Sequence, residues 1–568
     1  MKFVKYLFAL AIALCVTANI SHAQQIGNPV FVGGGSSALF LELGQAAATA
    51  AATSTPCVWT QKSVATVLAR DTRVGTPGTD EQGNIWVTWG TGTGGTCAAP
   101  LAPYNVYSYM SLDSVIGDRC YFLHSSTTGD GCVQIMTIAS GTADAGLLGT
   151  GFGTPTPIPI DVIDTLNNQN FNAIGTDIRP EDAKFASVRM FTACGASLTR
   201  EPYLNTSYQT RGLGYQTGTK GVGTTVLSFY SSKSFHVLDF NITGSDPISG
   251  GPVRGYTVTT VGAQPIVVAV APAGGTGIGA ATDIQSQNLS LFLNGTYGRS
   301  TDIQGPTTTN AVTTLIREPL SGTYNTMEYS NPNSAQFKTS QDQLNCSGTS
   351  FKQNPLNFAS ANNVLINGVH AFRNRVIGTG EMVAELQAAT TDTLGYFFWS
   401  AANASNLANA KYLTVDGVDP IADDYSVTNG VFPTSGGTVL LTAVTFKHLN
   451  AGSYPIWSAL RIVSLNPVPP GVTSLVTAAQ TLTSTQSDFI TLANLNVWHS
   501  HFNMFSIGVT NNSNGPTINP VTPGDLCGIP GALPEGGGDA GGATITKQGN
   551  HDFCADFNVT FGIVDKNN

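Results

Sequence analysis

Short apolar runs alternate along the chain with loops rich in glycine and hydroxyl residues, and helix-like segments follow several of these loops. One such loop follows the apolar residues 30–32, and another follows the strand-like residues 311–316. The most continuous apolar run, residues 262–272, predicts a buried parallel or hinge strand. The pattern indicates an α/β protein whose strands deliver loops to the first turns of helices.

The loop after residues 311–316 carries residue types that can hold an anion. Arg317 ends the apolar run, and Ser321, Gly322 and Thr323 fall where the next helix begins. The first turn of a helix leaves its N–H groups unsatisfied at the positive end of the helix dipole, so amides and hydroxyls there form a cradle for an anion. The alternative is a Ser/Thr N-cap beside an incidental arginine.

The loop after residues 30–32 repeats this arrangement. Three glycines precede Ser36 and Ser37, and the last of them is Gly35. Glycine lets the backbone approach a ligand closely, and the serines open the following helix. A tight strand-to-helix turn explains the same residues without a ligand, so both interpretations stay open.

Charged residues make up 11% of the 568-residue chain, and its formal net charge is −10. An acidic chain disfavours nucleic acid and anionic membrane surfaces as partners. No cofactor is predicted, because the glycine loop at 215–223 lacks the P-loop pattern of nucleotide-binding proteins. No metal site is predicted either, because His499 and His501 have no third candidate ligand nearby.

The first 23 residues are typical of a secretory signal. Lys2 and Lys5 precede an apolar core, and Ser21-His22-Ala23 forms a small-x-small cleavage site. We therefore expect a periplasmic or secreted protein, cleaved near Ala23. No later apolar run approaches the roughly 18–20 residues of a membrane span.

The cysteines predict disulfides. Nine are present, and setting aside Cys15 in the signal leaves an even number in an exported chain. Their order along the chain suggests the pairs Cys57–Cys97, Cys120–Cys132 and Cys527–Cys554, and it leaves Cys194 and Cys346 as a fourth pair. Residues 57–157 are rich in glycine, threonine and aspartate turns, which predicts a β-rich insertion stapled by the first two of these disulfides.

Several stretches occur in an order that resembles the phosphate-binding substrate-binding proteins of ABC importers, within the type II periplasmic-binding-protein superfamily. The matching stretches are residues 33–39, 215–222, 244–246, 261–270, 317–323, 394–396 and 454–456. The resemblance implies an α/β fold of two lobes joined by a hinge. It places a first segment of lobe 1 at 24–262, lobe 2 at 263–450, and a return to lobe 1 with a glycine-rich extension at 451–568.

The resemblance also implies a ligand site between the lobes. Lobe 1 would contribute Gly35, Ser36 and Ser37. Lobe 2 would contribute Arg317, Ser321, Gly322 and Thr323.

In such a site, a Ser-Asp pair would accept the proton of a monoprotonated phosphate and reject sulfate, which has no proton to donate. Ser245 and Asp246 match that pair, and Thr176 with Asp177 is the alternative. The sequence favours Asp246, because the apolar run of residues 261–270 follows it at a short distance.

The resemblance therefore predicts an exported binding protein for phosphate or a related oxyanion, working with an ABC permease. Leu320 stands where the family has glycine, so the prediction is firmer for an oxyanion than for phosphate. The alternative is an extracellular structural or interaction protein that has lost or changed its ligand. A hydrolase is disfavoured because neither a G-x-S-x-G elbow nor an H-E-x-x-H motif is present.

Overall fold

The computed structural model describes residues 27–50, 56–71, 80–122, 132–138, 146–148, 152, 154–178, 256–293, 295–317, 321–331, 357–358, 362–363, 365–376, 378–434, 436–451, 453–465, 467–483, 488–495, 509–512 and 515–518. The predicted signal peptide, its cleavage site, and the stretches at 215–222 and 244–246 lie outside these ranges. So do Leu320, His499, His501, Cys194, Cys346, Cys527 and Cys554.

Strands dominate the described part of the chain. In chain order they are β1 Asn28–Gly35, β2 Cys57–Gln61, β3 Val67–Asp71, β4 Asp80–Glu81, β5 Asn84–Trp89, β6 Asn105–Ser111, β7 Cys132–Met136, β8 Thr154–Pro155, β9 Gln169–Asn170, β10 Ala173–Thr176, β11 Tyr256–Ala271, β12 Asp283–Ile284, β13 Thr313–Arg317, β14 Asn357–Phe358, β15 Asn362–Asn363, β16 Leu365–Ile366, β17 Val369–His370, β18 Phe372–Val376, β19 Thr393–Phe398, β20 Lys411–Tyr412, β21 Thr414–Val415, β22 Trp457–Leu465, β23 Ile490–Thr491, β24 Val509–Asn512 and β25 Gly515–Ile518.

The helices are shorter and pack against these strands. They are α1 Phe40–Ala50, α2 Ser114–Phe122, α3 Ile160–Leu166, α4 Ser286–Leu293, α5 Gly322–Ser330, α6 Gly378–Ala388, α7 Ala401–Ala404, α8 Tyr425–Thr428, α9 Lys447–Asn450 and α10 Pro470–Gln480. A 3₁₀ turn at Ser37–Leu39 precedes α1. Along the described ranges, no helix combines the length and the apolar character that crossing a bilayer requires.

One large mixed sheet organises the molecule. Its strand order is β18-β13-β19-β11-β22-β10-β1-β6-β5-β2-β8. On one side of β11, β1 runs parallel to both β6 and β10; on the other, β13 runs parallel to both β18 and β19. The sheet therefore has two α/β parts, one on each side of the long strand β11.

β11 joins the two parts. Residues 256–265 pair with the antiparallel strand β22, whereas residues 266–271 pair with β19. All 16 residues of β11 are buried, which explains the continuous apolar run in the sequence. The prediction of a two-lobed α/β fold with a hinge strand is confirmed, and we refer to the β1–β10 side as lobe 1 and to the β13–β19 side as lobe 2.

Residues 57–157 carry the two disulfides that the structure describes. Cys57 bonds to Cys97 and Cys120 bonds to Cys132, as predicted. Its strands β3, β4 and β7 form a separate sheet with β9, in the order β4-β3-β7-β9. The segment also supplies β6, which lies directly beside β1 in the large sheet, and β5 and β2 beyond it. It therefore builds lobe 1 as well as an added β-rich layer.

A buried polar cluster ties the two lobes to the hinge strand. The Asp488 amide donates to Glu42 Oε1 on α1 (2.6 Å), and Gln264 Nε2 on β11 donates to the Asp488 carbonyl (2.8 Å). The Asp488 carboxylate accepts the Ala401 N–H of α7 at 2.8 Å. Burial raises the pKa of Asp488 to about 7, although hydrogen bonds from Ala401 and Ser400 act in the opposite direction.

We expect the variant Asp488→Asn to flatten the dependence of stability on pH. The folded state holds the Asp488 proton up to about pH 7, whereas an unfolded aspartate loses it near pH 3.9. The free energy of unfolding therefore falls as pH rises through this window, by roughly 4 kcal/mol at most. Asparagine has no proton to lose, so thermal unfolding midpoints between pH 4 and 8 should change less in the variant.

Asp423→Asn is the matched control, because Asp423 is exposed and its pKa is lowered by the Thr445 hydroxyl. If wild type and Asp488→Asn lost stability in parallel between pH 4 and 8, Asp488 would not be the titrating group.

Candidate functional site

Arg317 lies at the end of β13 and is buried. Its Nη1 donates to the hydroxyls of Thr323 and Thr379, each at 3.2 Å. Its backbone N–H faces the Tyr396 hydroxyl at 3.4 Å. The guanidinium is therefore held in one position at the boundary between the lobes.

Helix α5 begins beside Arg317. Ser321 occupies its N-cap position, but within the described residues the Ser321 side chain makes no capping hydrogen bond. The Ser321 carbonyl accepts from the backbone N–H of Asn325 at 3.1 Å, and both Ser321 and Thr323 are buried. The interpretation of Ser321 as a simple N-cap is therefore not supported by its side-chain geometry.

Asp177 of lobe 1 lies against the start of α5. It follows β10, is buried, and accepts a short hydrogen bond from Ser114 at Oδ1. A Cβ atom at Gly322 would stand only 1.6 Å from Asp177 Oδ1, so the carboxylate contacts the helix at that residue. Asp177 Oδ2 has no hydrogen-bond partner among the described residues.

The electrostatics of Asp177 reflect a balance of burial and cations. Burial raises its pKa to about 6, while the Ser114 hydrogen bond and the charges of Arg317 and Arg461 lower it. Asp177 is therefore ionised at neutral pH and becomes protonated when the pH falls below about 6. Arg461 lies on β22, directly opposite Thr176 in the register with β10.

The loop at Gly35 and Ser36 packs against β10. Gly35 has φ +131°, and a Cβ atom there would meet the Gly175 carbonyl at 2.1 Å, so glycine is required by the neighbouring strand. Ser36 Oγ accepts the Ala38 N–H at 3.2 Å, which is the capping arrangement that the sequence left open. The Tyr109 hydroxyl donates to the Ser36 carbonyl at 2.7 Å.

Of the remaining predicted site residues, two belong to the described part of the chain and two do not. Ser37 is half-buried at the start of the 3₁₀ turn, and the Thr176 hydroxyl donates to the Ile178 carbonyl at 2.9 Å. Ser245 and Asp246 lie outside the described residues. The structure thus brings together Arg317, the start of α5 and Asp177.

Sequence reasoning missed the loop between β6 and α2. Asp113 lies 3.6 Å from Arg317 Nη2, and the next residue is Ser114, which donates to Asp177. The sequence held a usable signal, since residues 105–111 alternate like a strand and a helical segment follows. Assigning the whole of 57–157 to an insertion hid this third strand-loop-helix unit.

The described residues contain no group of three or more histidine, cysteine, aspartate or glutamate side chains arranged to hold a metal ion. The donor set around Arg317 consists of a guanidinium, hydroxyls and the amides of a helix start. These groups suit an oxyanion.

Comparison with known proteins gives no family. No family model matches the chain, and no curated protein matches it.

Solved structures give distant likenesses. PstS from Borrelia burgdorferi is 17% identical at a TM-score of 0.25, over 40% of this chain and 67% of that one. The ABC-type phosphate transport receptor from Vibrio cholerae is 10% identical at a TM-score of 0.24, over 40% of this chain and 67% of that one. A high affinity periplasmic phosphate-binding protein, PfluDING, is 12% identical at a TM-score of 0.25, over 72% of this chain and 94% of that one. The chain thus spans about two thirds of the length of the first two proteins. All three TM-scores are below 0.5, so the fold and the site are inferred from the contacts within this chain.

Proposed function

We propose that this protein is an exported solute-binding protein that captures phosphate or a related oxyanion between its two lobes. One observation carries the proposal. Arg317 and the start of α5 in lobe 2 meet the buried carboxylate of Asp177 in lobe 1, and Asp177 Oδ2 has no hydrogen-bond partner among the described residues.

The ligand chemistry follows from the donors and acceptors. Arg317 and the first amides of α5 donate, so they need acceptor oxygens on the ligand. The ionised carboxylate of Asp177 only accepts, so it needs a proton on the ligand. Hydrogen phosphate and hydrogen arsenate supply both, whereas sulfate supplies oxygens alone.

The strength of such contacts is sufficient for a binding protein. Hydrogen bonds that involve a charged group contribute roughly 1.5–3 kcal/mol each. Micromolar binding needs about −8 kcal/mol. Arg317 with a few helix amides and hydroxyls can supply this if the lobes exclude water from the site.

For the role of proton acceptor we propose Asp177, and its direct contact with Gly322 supports this assignment. Asp246 stays a sequence prediction. Export with cleavage near Ala23, and delivery of the ligand to an ABC permease, belong to the same proposal.

Isothermal titration of ligand-stripped protein tests the proposal. We expect heat of binding with phosphate and arsenate at pH 8 and at least tenfold weaker binding of sulfate. Asp177→Asn should lose that preference, because an asparagine amide can donate to sulfate. In wild type the preference should also fall below about pH 6, where Asp177 becomes protonated.

Asp423→Asn is the control, since it removes an exposed carboxylate of lobe 2 that pairs with Lys447. Absence of heat with every oxyanion in folded wild-type protein would overturn the proposal.

A second candidate is an interaction protein that kept this fold and lost the ligand. It is favoured by the ion pair between Asp113 and Arg317, which already gives the arginine a counter-ion. The same titration separates the two candidates, because a protein of this kind binds no oxyanion in any variant.

A further inference from the structure

Asp113 and Arg317 form an ion pair between the two lobes. Asp113 directly precedes α2 in lobe 1, and Arg317 ends β13 in lobe 2. Asp113 Oδ1 lies 3.6 Å from Arg317 Nη2, with side-chain exposures of 11% and 1%. An ion pair removed from solvent to this extent is weakly screened by salt, so its charges act strongly on their surroundings.

The ion pair lies on the edge of the guanidinium that a ligand would need. Nη1 already donates to the hydroxyls of Thr323 and Thr379, both on lobe 2. Nη2 faces lobe 1 through Asp113. A ligand held between the lobes would therefore meet the Asp113 carboxylate as it approaches Arg317.

Among the residues that the structure describes, the other charges near the site do not offset Asp113. Asp177 lies against Gly322, and a further lobe 1 carboxylate, Asp118, has its Oδ2 3.4 Å from the Thr176 hydroxyl. The described cations that act on Asp177 are Arg317 and Arg461, which both lower its pKa. With Asp113 included, carboxylates outnumber guanidinium groups in this set, and each added negative charge on a ligand is less favourable.

We propose that Asp113 competes with the bound anion for the guanidinium of Arg317. Asp113 thereby determines both the affinity and the charge preference of the site. This rests on the proposed function, and it adds a residue that works against binding. The ligand class that follows is an oxyanion of low charge that carries protons, in preference to a fully ionised one.

The test is a titration of wild type, Asp113→Asn and Asp113→Ser with phosphate and sulfate at pH 8. We expect Asp113→Asn to bind phosphate at least tenfold more tightly and to gain about as much for sulfate, because both ions are dianions at pH 8. At pH 6 phosphate is mainly a monoanion, and its gain should be smaller. Asp113→Ser should show the same direction. Asp423→Asn makes the same change in net charge at an exposed carboxylate that pairs with Lys447, and we expect its affinity to stay within twofold of wild type.

The outcomes of these titrations separate the role of Asp113 from the proposed function. Weaker or unchanged phosphate binding in both folded Asp113 variants, with binding in wild type, would overturn the role of Asp113 and leave the proposed function standing. Binding in neither wild type nor variants would overturn both. Binding that occurs only in the variants would overturn the proposed function of the wild-type protein and would still show that Asp113 competes with the anion. Circular dichroism and thermal unfolding establish that each variant is folded.

Discussion

Replacing Arg317 by glutamine should remove oxyanion binding. The guanidinium lies beside the start of α5, and its position is fixed by Thr323 and Thr379. Truncating one partner of a buried charged pair costs about 2–5 kcal/mol of binding free energy. We therefore expect phosphate affinity to fall by about 30-fold or more, measured by titration calorimetry.

The control for charge is Arg299→Gln, which makes the same substitution at an exposed position of lobe 2. The control for folding is the double variant Arg317→Gln with Asp113→Asn, because removing the arginine alone leaves Asp113 without this counter-ion. The double variant should recover thermal stability and still fail to bind phosphate. Binding at near wild-type affinity in Arg317→Gln would exclude this arginine as a ligand contact.

Replacing Gly322 by alanine should open the contact between the lobes. The new Cβ atom would lie 1.6 Å from Asp177 Oδ1 and 2.3 Å from Oδ2, which no real structure tolerates. Gly322 does not require a left-handed backbone, so alanine introduces no strain of its own and is the better helix former. The whole effect must come from Asp177 and α5 moving apart. We expect phosphate affinity to fall at least tenfold and the free energy of unfolding to fall by about 1–3 kcal/mol.

Gly380→Ala is the matched control, because Gly380 also lies in the first turn of a lobe 2 helix and a Cβ atom there has nothing within 4 Å among the described residues. It should leave affinity unchanged and stabilise the helix slightly. Combining Gly322→Ala with Asp177→Gly should restore the unfolding free energy, since the two residues are in direct contact. An additive loss of stability in the double variant would contradict the contact.

The elements that the sequence predicted well are those defined by local pattern. β11 was visible as a continuous apolar run, because both of its faces are buried. The start of α5 was visible because a strand end, a loop and a helix start occur within a few residues of one another. The pairs Cys57–Cys97 and Cys120–Cys132 followed from their order along the chain.

The site itself depended on contacts that local pattern does not record. The carboxylate against Gly322 belongs to Asp177, the sequence's alternative to Asp246, and it is more than a hundred residues away in the chain. The ion pair of Asp113 with Arg317 joins residues from different lobes. Burial of Asp177, which raises its pKa, is likewise a property of the packed site and not of its neighbours in sequence.

The sheet order has a consequence for when the protein can fold. β22 fits between β10 and β11, pairing Ala173 with Ser464 and Thr257 with the same residue. The contact between Glu42 and Asp488 spans 446 positions of the chain. During synthesis from the N-terminus, lobe 1 therefore keeps an unfilled place in its sheet until most of the polypeptide has been made. A gene truncated after β11 would omit β22, so we expect lobe 1 produced in this way to lack the strand that joins β10 to β11 and to fail to fold.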